Sequence, residues 1–224
     1  MIELIKRIRL RTLLLLLLAI SNISISSASS IADENWNFRV LLDDKEIGYH
    51  NFHRRTQNHI QTITSEATFE YKLLFLTLFE YQHDNVELWK GNCLNSIESN
   101  TNNNGIQLQV SGQQSDNSFT IESSNGVSKL PACVMTFAYW NPQFLDQSKA
   151  LNSQNGKYVD ISVSEPITET LNLNGHRKLA RRYDLNAGEL DLQLWYSEKN
   201  EWLALASEVK GGRILKYQRT GVNL

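Results

Sequence analysis

The chain is poor in the residues that catalytic sites and covalent staples are made from. Its 224 residues include only two cysteines, three prolines and five histidines. Two cysteines are too few for a structural zinc site, which takes four ligands. No Gly-x-Ser-x-Gly elbow, P-loop or dinucleotide fingerprint occurs. Serine and threonine are plentiful, but none stands in a recognisable nucleophile context, and no cofactor signature is present. Charge of one sign is also lacking, since the formal net charge is −2. Binding to a phosphate backbone needs a dense basic patch, so nucleic acid is not an expected partner.

Long apolar runs are confined to one place. Leu13 to Ile20 is apolar, preceded by Lys6, Arg7, Arg9 and Arg11 and followed by Ser26-Ser27-Ala28-Ser29-Ser30. The run is shorter than the roughly 20 residues that cross a bilayer core of about 30 Å. Residues 1–28 therefore read as a cleavable signal peptide, cut after Ala28 or Ser30; an uncleaved N-terminal anchor is the alternative. Removing four basic residues and Glu3 takes the net charge from −2 to −5. No cysteine follows the run, which argues against a lipoprotein. The one Asn-x-Ser/Thr sequon, Asn22-Ile23-Ser24, lies inside the leader, and a bacterial periplasm is the expected location. No later stretch suits a transmembrane helix. Export changes the meaning of Cys93 and Cys133: an oxidising compartment favours a disulfide over two separate buried thiols.

What is present is alternation. Trp36, Phe38, Val40 and Leu42 fall in phase, with Asp43-Asp44-Lys45 as the turn and Ile47 to Phe52 as the returning strand. Gly48 in mid-strand marks a bulge or a close neighbour. Ile63, Ser65, Ala67, Phe69 and Tyr71 share a face in the next strand. Lys72 to Tyr81 is apolar on both faces, and we expect a strand covered on both sides or lining an apolar cavity; its length also permits a helix. Turns then recur at Gly91-Asn92, Asn102 to Gly105, Gln114 to Asn117 and Asn125-Gly126, as in a meander. After residue 155 the pattern resumes, with turns at Asn174-Gly175, Asn186 to Gly188 and Gly211-Gly212. There is no internal repeat and no linker. The reading is one β-rich periplasmic domain over 31–224: a strongly twisted antiparallel sheet curled into an open barrel or two-layer roll.

Between these sets of hairpins lies Leu130 to Pro142, uncharged, mostly apolar, and holding Cys133 and two of the three prolines. Asn141 can cap a helix that opens on Pro142, and one or two short helices are expected around residues 131–151. The segment is the expected buried crossing of the fold.

Several short motifs, Ile47-Gly48-Tyr49-His50, Glu87-Leu88-Trp89, Thr101 to Gly105, Phe137 to Pro142 and the Trp195, Trp202, Tyr217 tail, together resemble an uncharacterised family of exported proteobacterial proteins, domain of unknown function 6134. The resemblance implies a periplasmic β domain and assigns no chemistry.

Candidate sites are weighed on their geometry. His50 and His53, three apart on a strand, point to opposite faces and make a poor metal pair. His50 could pair with Glu80 or Glu87 for acid–base work in a hydrolase or isomerase, or be a hydrogen-bonded structural histidine. Arg177, Lys178, Arg181 and Arg182 form a basic strand that could hold an anionic head group or protect a sheet edge. The five tryptophans serve as core or as pocket walls. The leading expectation is a non-enzymatic module binding an apolar or amphipathic, lipid-like ligand in the curl. Its contacts would be His50, Phe75, Phe79, Tyr81, Trp89, Phe137, Trp140, Arg177 and Arg181. The alternative is an envelope scaffold with a packed core, recruiting a protein partner through its sheet edges.

Overall fold

In a computed structural model, residues 31–73, 76–209 and 211–221 are described. The leader and Phe75 lie outside them. The first half is an unbroken meander: β1 (Ala32–Leu42), β2 (Lys45–Gln57), β3 (Ile60–Leu73), β4 (Leu76–Lys90), β5 (Cys93–Asn103), β6 (Ile106–Gln114), β7 (Phe119–Ser123) and β8 (Gly126–Leu130). The second half holds β9 (Lys149–Leu151), β10 (Tyr158–Asp160), β11 (Ser162–Val163), β12 (Ile167–Leu173), β13 (His176–Ala187), β14 (Leu190–Tyr196), β15 (Trp202–Val209) and β16 (Arg213–Thr220).

Among the described residues, fourteen of these strands form one antiparallel sheet, ordered β11-β13-β14-β15-β16-β1-β2-β3-β4-β5-β6-β7-β8, with β12 also on β13. β9 and β10 pair apart from it. The two halves join where β1 takes β16 on one side and β2 on the other. The sheet is curled. Its inner residues from both halves, such as Ile63, Ile97 and Ile121 against Leu194, Trp202 and Leu205, belong to one core with Val134, Met135, Ala138 and Trp140 of the central segment.

That segment is pinned at several points. Cys93 and Cys133 are disulfide-bonded, with Cα atoms 4.8 Å apart. Leu94 N–H donates to Val134 O at 3.0 Å, and Leu151 N–H to Met135 O at 2.9 Å. Trp140 packs on Trp36 and Trp89, and Tyr139 on Trp202. Helix is limited here to one 3-10 turn, Pro142–Asp146; as the sequence implies, Asn141 accepts from Gln143 N–H and Pro142 opens the turn. It does not run on to residue 151, because Lys149–Leu151 pairs with β10 and Leu151 bridges Thr136.

Two expectations about coverage need correction. The described residues of the stretch from 72 to 81 are not covered on both sides. β2 stops pairing with β3 at Phe69, and β5 stops pairing with β4 at Tyr81, so the ribbon projects beyond its neighbours. Leu76 and Leu78 are 69% and 50% exposed. The doubly buried strands are β14 and β15. Leu192, Leu194 and Tyr196 face the main core, while Trp195, Leu203, Ala204 and Ala206 pack under Leu173 and Ala180 of the β12–β13 hairpin. The tip of that hairpin reaches across the outer face, where Asn174 bonds Arg39 and the Arg219 carbonyl. The basic strand β13 is likewise no sheet edge, being flanked by β14 and by β11 and β12.

Candidate functional site

Strand β4 alternates strictly: Tyr81, His83, Asn85, Glu87 and Trp89 are buried, and the residues between them are more exposed. The period of two puts three polar side chains on the inner face between two aromatics. Antiparallel register sets each beside its neighbours: His83 opposite Ala67 and Thr101, Asn85 opposite Ser65 and Ser99, Glu87 opposite Ile63 and Ile97. His50 stands opposite Ala67 on the far side of β3. An inward row of this polarity must be paired to be stable, because an unpaired buried polar group costs about 1–3 kcal/mol.

The row faces a cavity of about 210 Å3 inside the curl. One wall is polar: His50, Ser65, His83, Asn85, Glu87 and Thr136. The other is largely apolar, with Leu190, Leu192, Leu205, Val209 and Leu215 from β14 to β16 beside the polar Ser207. Phe137, Tyr139 and Trp140 of the central segment contribute the aromatic part.

Most of the polar atoms are accounted for. Glu87 accepts from Asn85 Nδ2 at 2.9 Å, from Trp89 Nε1 at 2.8 Å and from Thr136 Oγ1 at 3.3 Å, which ties β4 to the central segment. His83 Nδ1 lies 2.8 Å from Thr101 Oγ1, and its Nε2 3.4 Å from Ser153 Oγ. His50 stacks on Phe52 and meets the Tyr217 hydroxyl through Nδ1 at 3.4 Å. Two buried atoms of lining residues are left over, His50 Nε2 and Asn85 Oδ1.

Burial sets the protonation. It depresses His50 to about 3, helped by the neighbouring His83, and His83 to about 4. Burial raises Glu87, although its three hydrogen bonds pull the other way. The signs are opposed. The histidines refuse protons that the unfolded chain accepts below its pKa of about 6.5, so their contribution falls as pH drops. Glu87 holds a proton that the unfolded chain loses, so its contribution falls as pH rises above the carboxylate range. Between pH 6.5 and 4.5 two histidines outweigh one carboxyl. Urea unfolding across that window should show stability falling with acidity by about 1.4 kcal/mol per pH unit per net proton. His83→Gln should flatten the slope; an unchanged slope would mean that His83 titrates normally in the folded chain.

Of the expected contacts, His50, Phe137 and Trp140 come together at this cavity. Trp89 is fully buried behind Trp140, at 5.4 Å between ring centres. Phe79 and Tyr81 belong to a second core group around Phe69, where Tyr81 stacks on both Phe69 and His83. Arg177 and Arg181 are elsewhere: Arg177 is exposed, and Arg181 bonds the Ser197 carbonyl and Asn200 Oδ1. Arg182 is engaged by Glu169 and Asp184. His53 meets Asp33 at 3.3 Å, away from His50. His50 has no hydrogen bond to Glu80 or Glu87; Glu80 is exposed on the projecting ribbon and the Glu87 oxygens are taken. His83, Asn85, Thr136 and Tyr217 are among the cavity residues that the sequence did not single out as contacts.

The family profile of domain of unknown function 6134 matches residues 38–220. No curated protein matches the chain. Among solved structures, the fold is similar to the crystal structure of a beta-barrel-like protein of domain of unknown function DUF1849 from Brucella abortus. The TM-score is 0.61 at 6% identity, over 86% of this chain and 98% of that one. At such identity the likeness concerns the fold alone. The Cys93–Cys133 disulfide fits an extracytoplasmic location.

Proposed function

We start from the fact that this chain belongs to the family of domain of unknown function 6134, and propose that it is a non-enzymatic periplasmic module holding one amphipathic, lipid-like molecule in the curl of its sheet. The leader sequence and the disulfide support the compartment. The observation that carries the binding role is a cavity with one apolar and one polar wall, whose polar lining includes buried hydrogen-bonding atoms without a protein partner. A solid structural core has no use for such atoms, because each costs stability when unpaired. The cavity's 210 Å3 falls below the usual range of about 300–1,000 Å3 for ligand pockets, which favours a compact guest over a full two-chain lipid.

The test is to purify the protein from its native host without detergent, denature it and examine the extract by mass spectrometry. A small amphiphile in near-stoichiometric amount is expected. Protein that comes out empty in repeated preparations would overturn the reading.

A second reading has one observation of its own. Among the described residues strand β8 ends the sheet with a free side, and Gly126 to Lys129 are exposed. Such an edge suits strand addition by an envelope protein. Cross-linking in intact cells through a photoreactive residue at Val127 should then capture one defined partner; recovery of the uncross-linked chain alone would remove this reading.

A further inference from the structure

We propose that the cavity selects an uncharged head group that both donates and accepts hydrogen bonds, a hydroxyl or a primary amide, and rejects carboxylates, phosphates and ammonium groups. The inference rests on the binding role proposed above and specifies its ligand.

Charge is the first argument. Among the described residues no lysine or arginine lines the cavity; its ionisable members are His50, His83, Glu87, Tyr139 and Tyr217, and burial pushes both tyrosines further toward the neutral form. Burial holds both histidines neutral at pH 7. An anion placed here meets no countercharge, and the cost of stripping its water is not recovered. A cation fares little better. The one carboxyl already accepts from Asn85, Trp89 and Thr136, and burial pushes it toward its neutral form, so it offers an ammonium little countercharge.

Hydrogen-bond valence is the second argument. Asn85 gives its Nδ2 to Glu87, which identifies Oδ1 as the unpaired side of the amide. That oxygen can only accept, so the guest must bring a donor. His50 Nε2, also unpaired, can donate or accept according to the tautomer, since the Tyr217 hydroxyl can complement Nδ1 in either role. A primary amide, with two donors and an acceptor, serves both atoms in both tautomers; a hydroxyl, with one donor and two acceptor sites, serves both when Nε2 carries the hydrogen. A carboxylate or phosphodiester has no donor and leaves Asn85 Oδ1 facing another acceptor.

The experiment is titration calorimetry on the exported protein at pH 7 with four probes of one chain length: 1-octanol, octanamide, octanoate and octylammonium. Octanol and octanamide should bind, with the two charged probes about tenfold or more weaker, the scale set by leaving one buried polar group unpaired. His50→Phe keeps the ring stacked on Phe52 and should narrow the gap between octanol and octanoate. Octanoate or octylammonium binding as tightly as octanol would overturn this inference and leave the binding role standing. A charged head on the molecule recovered from the native host would do the same. If no probe binds and the native protein is also empty, the binding role fails and this inference with it.

Discussion

Replacing Cys93 and Cys133 with alanine is expected to lower the stability of the folded chain by up to about 4 kcal/mol. The bond closes a loop of 40 residues, and the chain-entropy treatment of such a loop gives that figure as an upper bound. The effect reaches beyond entropy. The link joins the first residue of β5 to the central segment, and the adjacent Leu94–Val134 hydrogen bond and the burial of Val134 and Met135 depend on the same placement. Phe137, Tyr139 and Trp140, a few residues on, form the aromatic part of the cavity. Urea unfolding with and without reductant measures the loss, and octanol titration should weaken in parallel. A loss below about 1 kcal/mol would show that apolar packing alone holds the segment in the curl.

Gly48→Ala should be more damaging than its single methyl group suggests. Gly48 sits at φ +153°, a backbone conformation that L side chains rarely adopt, and pairs with Phe69 where the β1–β2 register shifts. A Cβ there would lie 1.9 Å from the Thr68 carbonyl oxygen and 3.0 Å from Phe69 Cα. Both are backbone atoms of a paired strand, so no side chain can swing aside. Relief requires parting β2 from β3, two residues from His50 and the cavity. A loss of about 3 kcal/mol or more is expected, in the range of strain combined with disrupted packing. Gly105→Ala is the control. Its φ is +88° but nothing lies within 4 Å of the added carbon, so only the left-handed backbone penalty of about 1–2 kcal/mol applies. Equal midpoints for the two variants in urea would refute the close-approach argument.

Strands and turns were readable because they depend on local chemistry. Asn and Gly at the hairpin corners take the positive φ that tight turns require, as at Asn104-Gly105 and Asn174-Gly175. Trp36, Phe38 and Val40 alternate with more exposed residues, and all three are buried. The polar row of β4 was legible in principle. Tyr81 and Trp89 set the inward phase, and His83, Asn85 and Glu87 lie in step with them. Composition hides this, since Gln82-His83-Asp84-Asn85 reads as a solvated stretch until the phase is carried across it.

Coverage was a different matter. Leu76 and Leu78 look at least as apolar as Leu203 and Ala204, yet the first pair is exposed and the second buried. The difference lies in which strands run alongside: the β3–β4 ribbon outruns its neighbours, whereas the β12–β13 hairpin folds back over β14 and β15. The basic residues of β13 read as edge protection for the same reason, because strand order is not written in any one strand.

The amino-acid sequence by itself determined the period of two, the corners, the uncharged crossing at 130–142 and the pair of cysteines able to hold it. These follow from backbone preferences and side-chain polarity within a few residues of each position. Only the tertiary structure decided that His50, Asn85, Glu87, Thr136 and Tyr217 meet around one cavity, since they are brought together by sheet order and curl across as many as 167 positions. Contacts of that range are set by the summed burial of the whole sheet, and no local stretch of sequence encodes that sum.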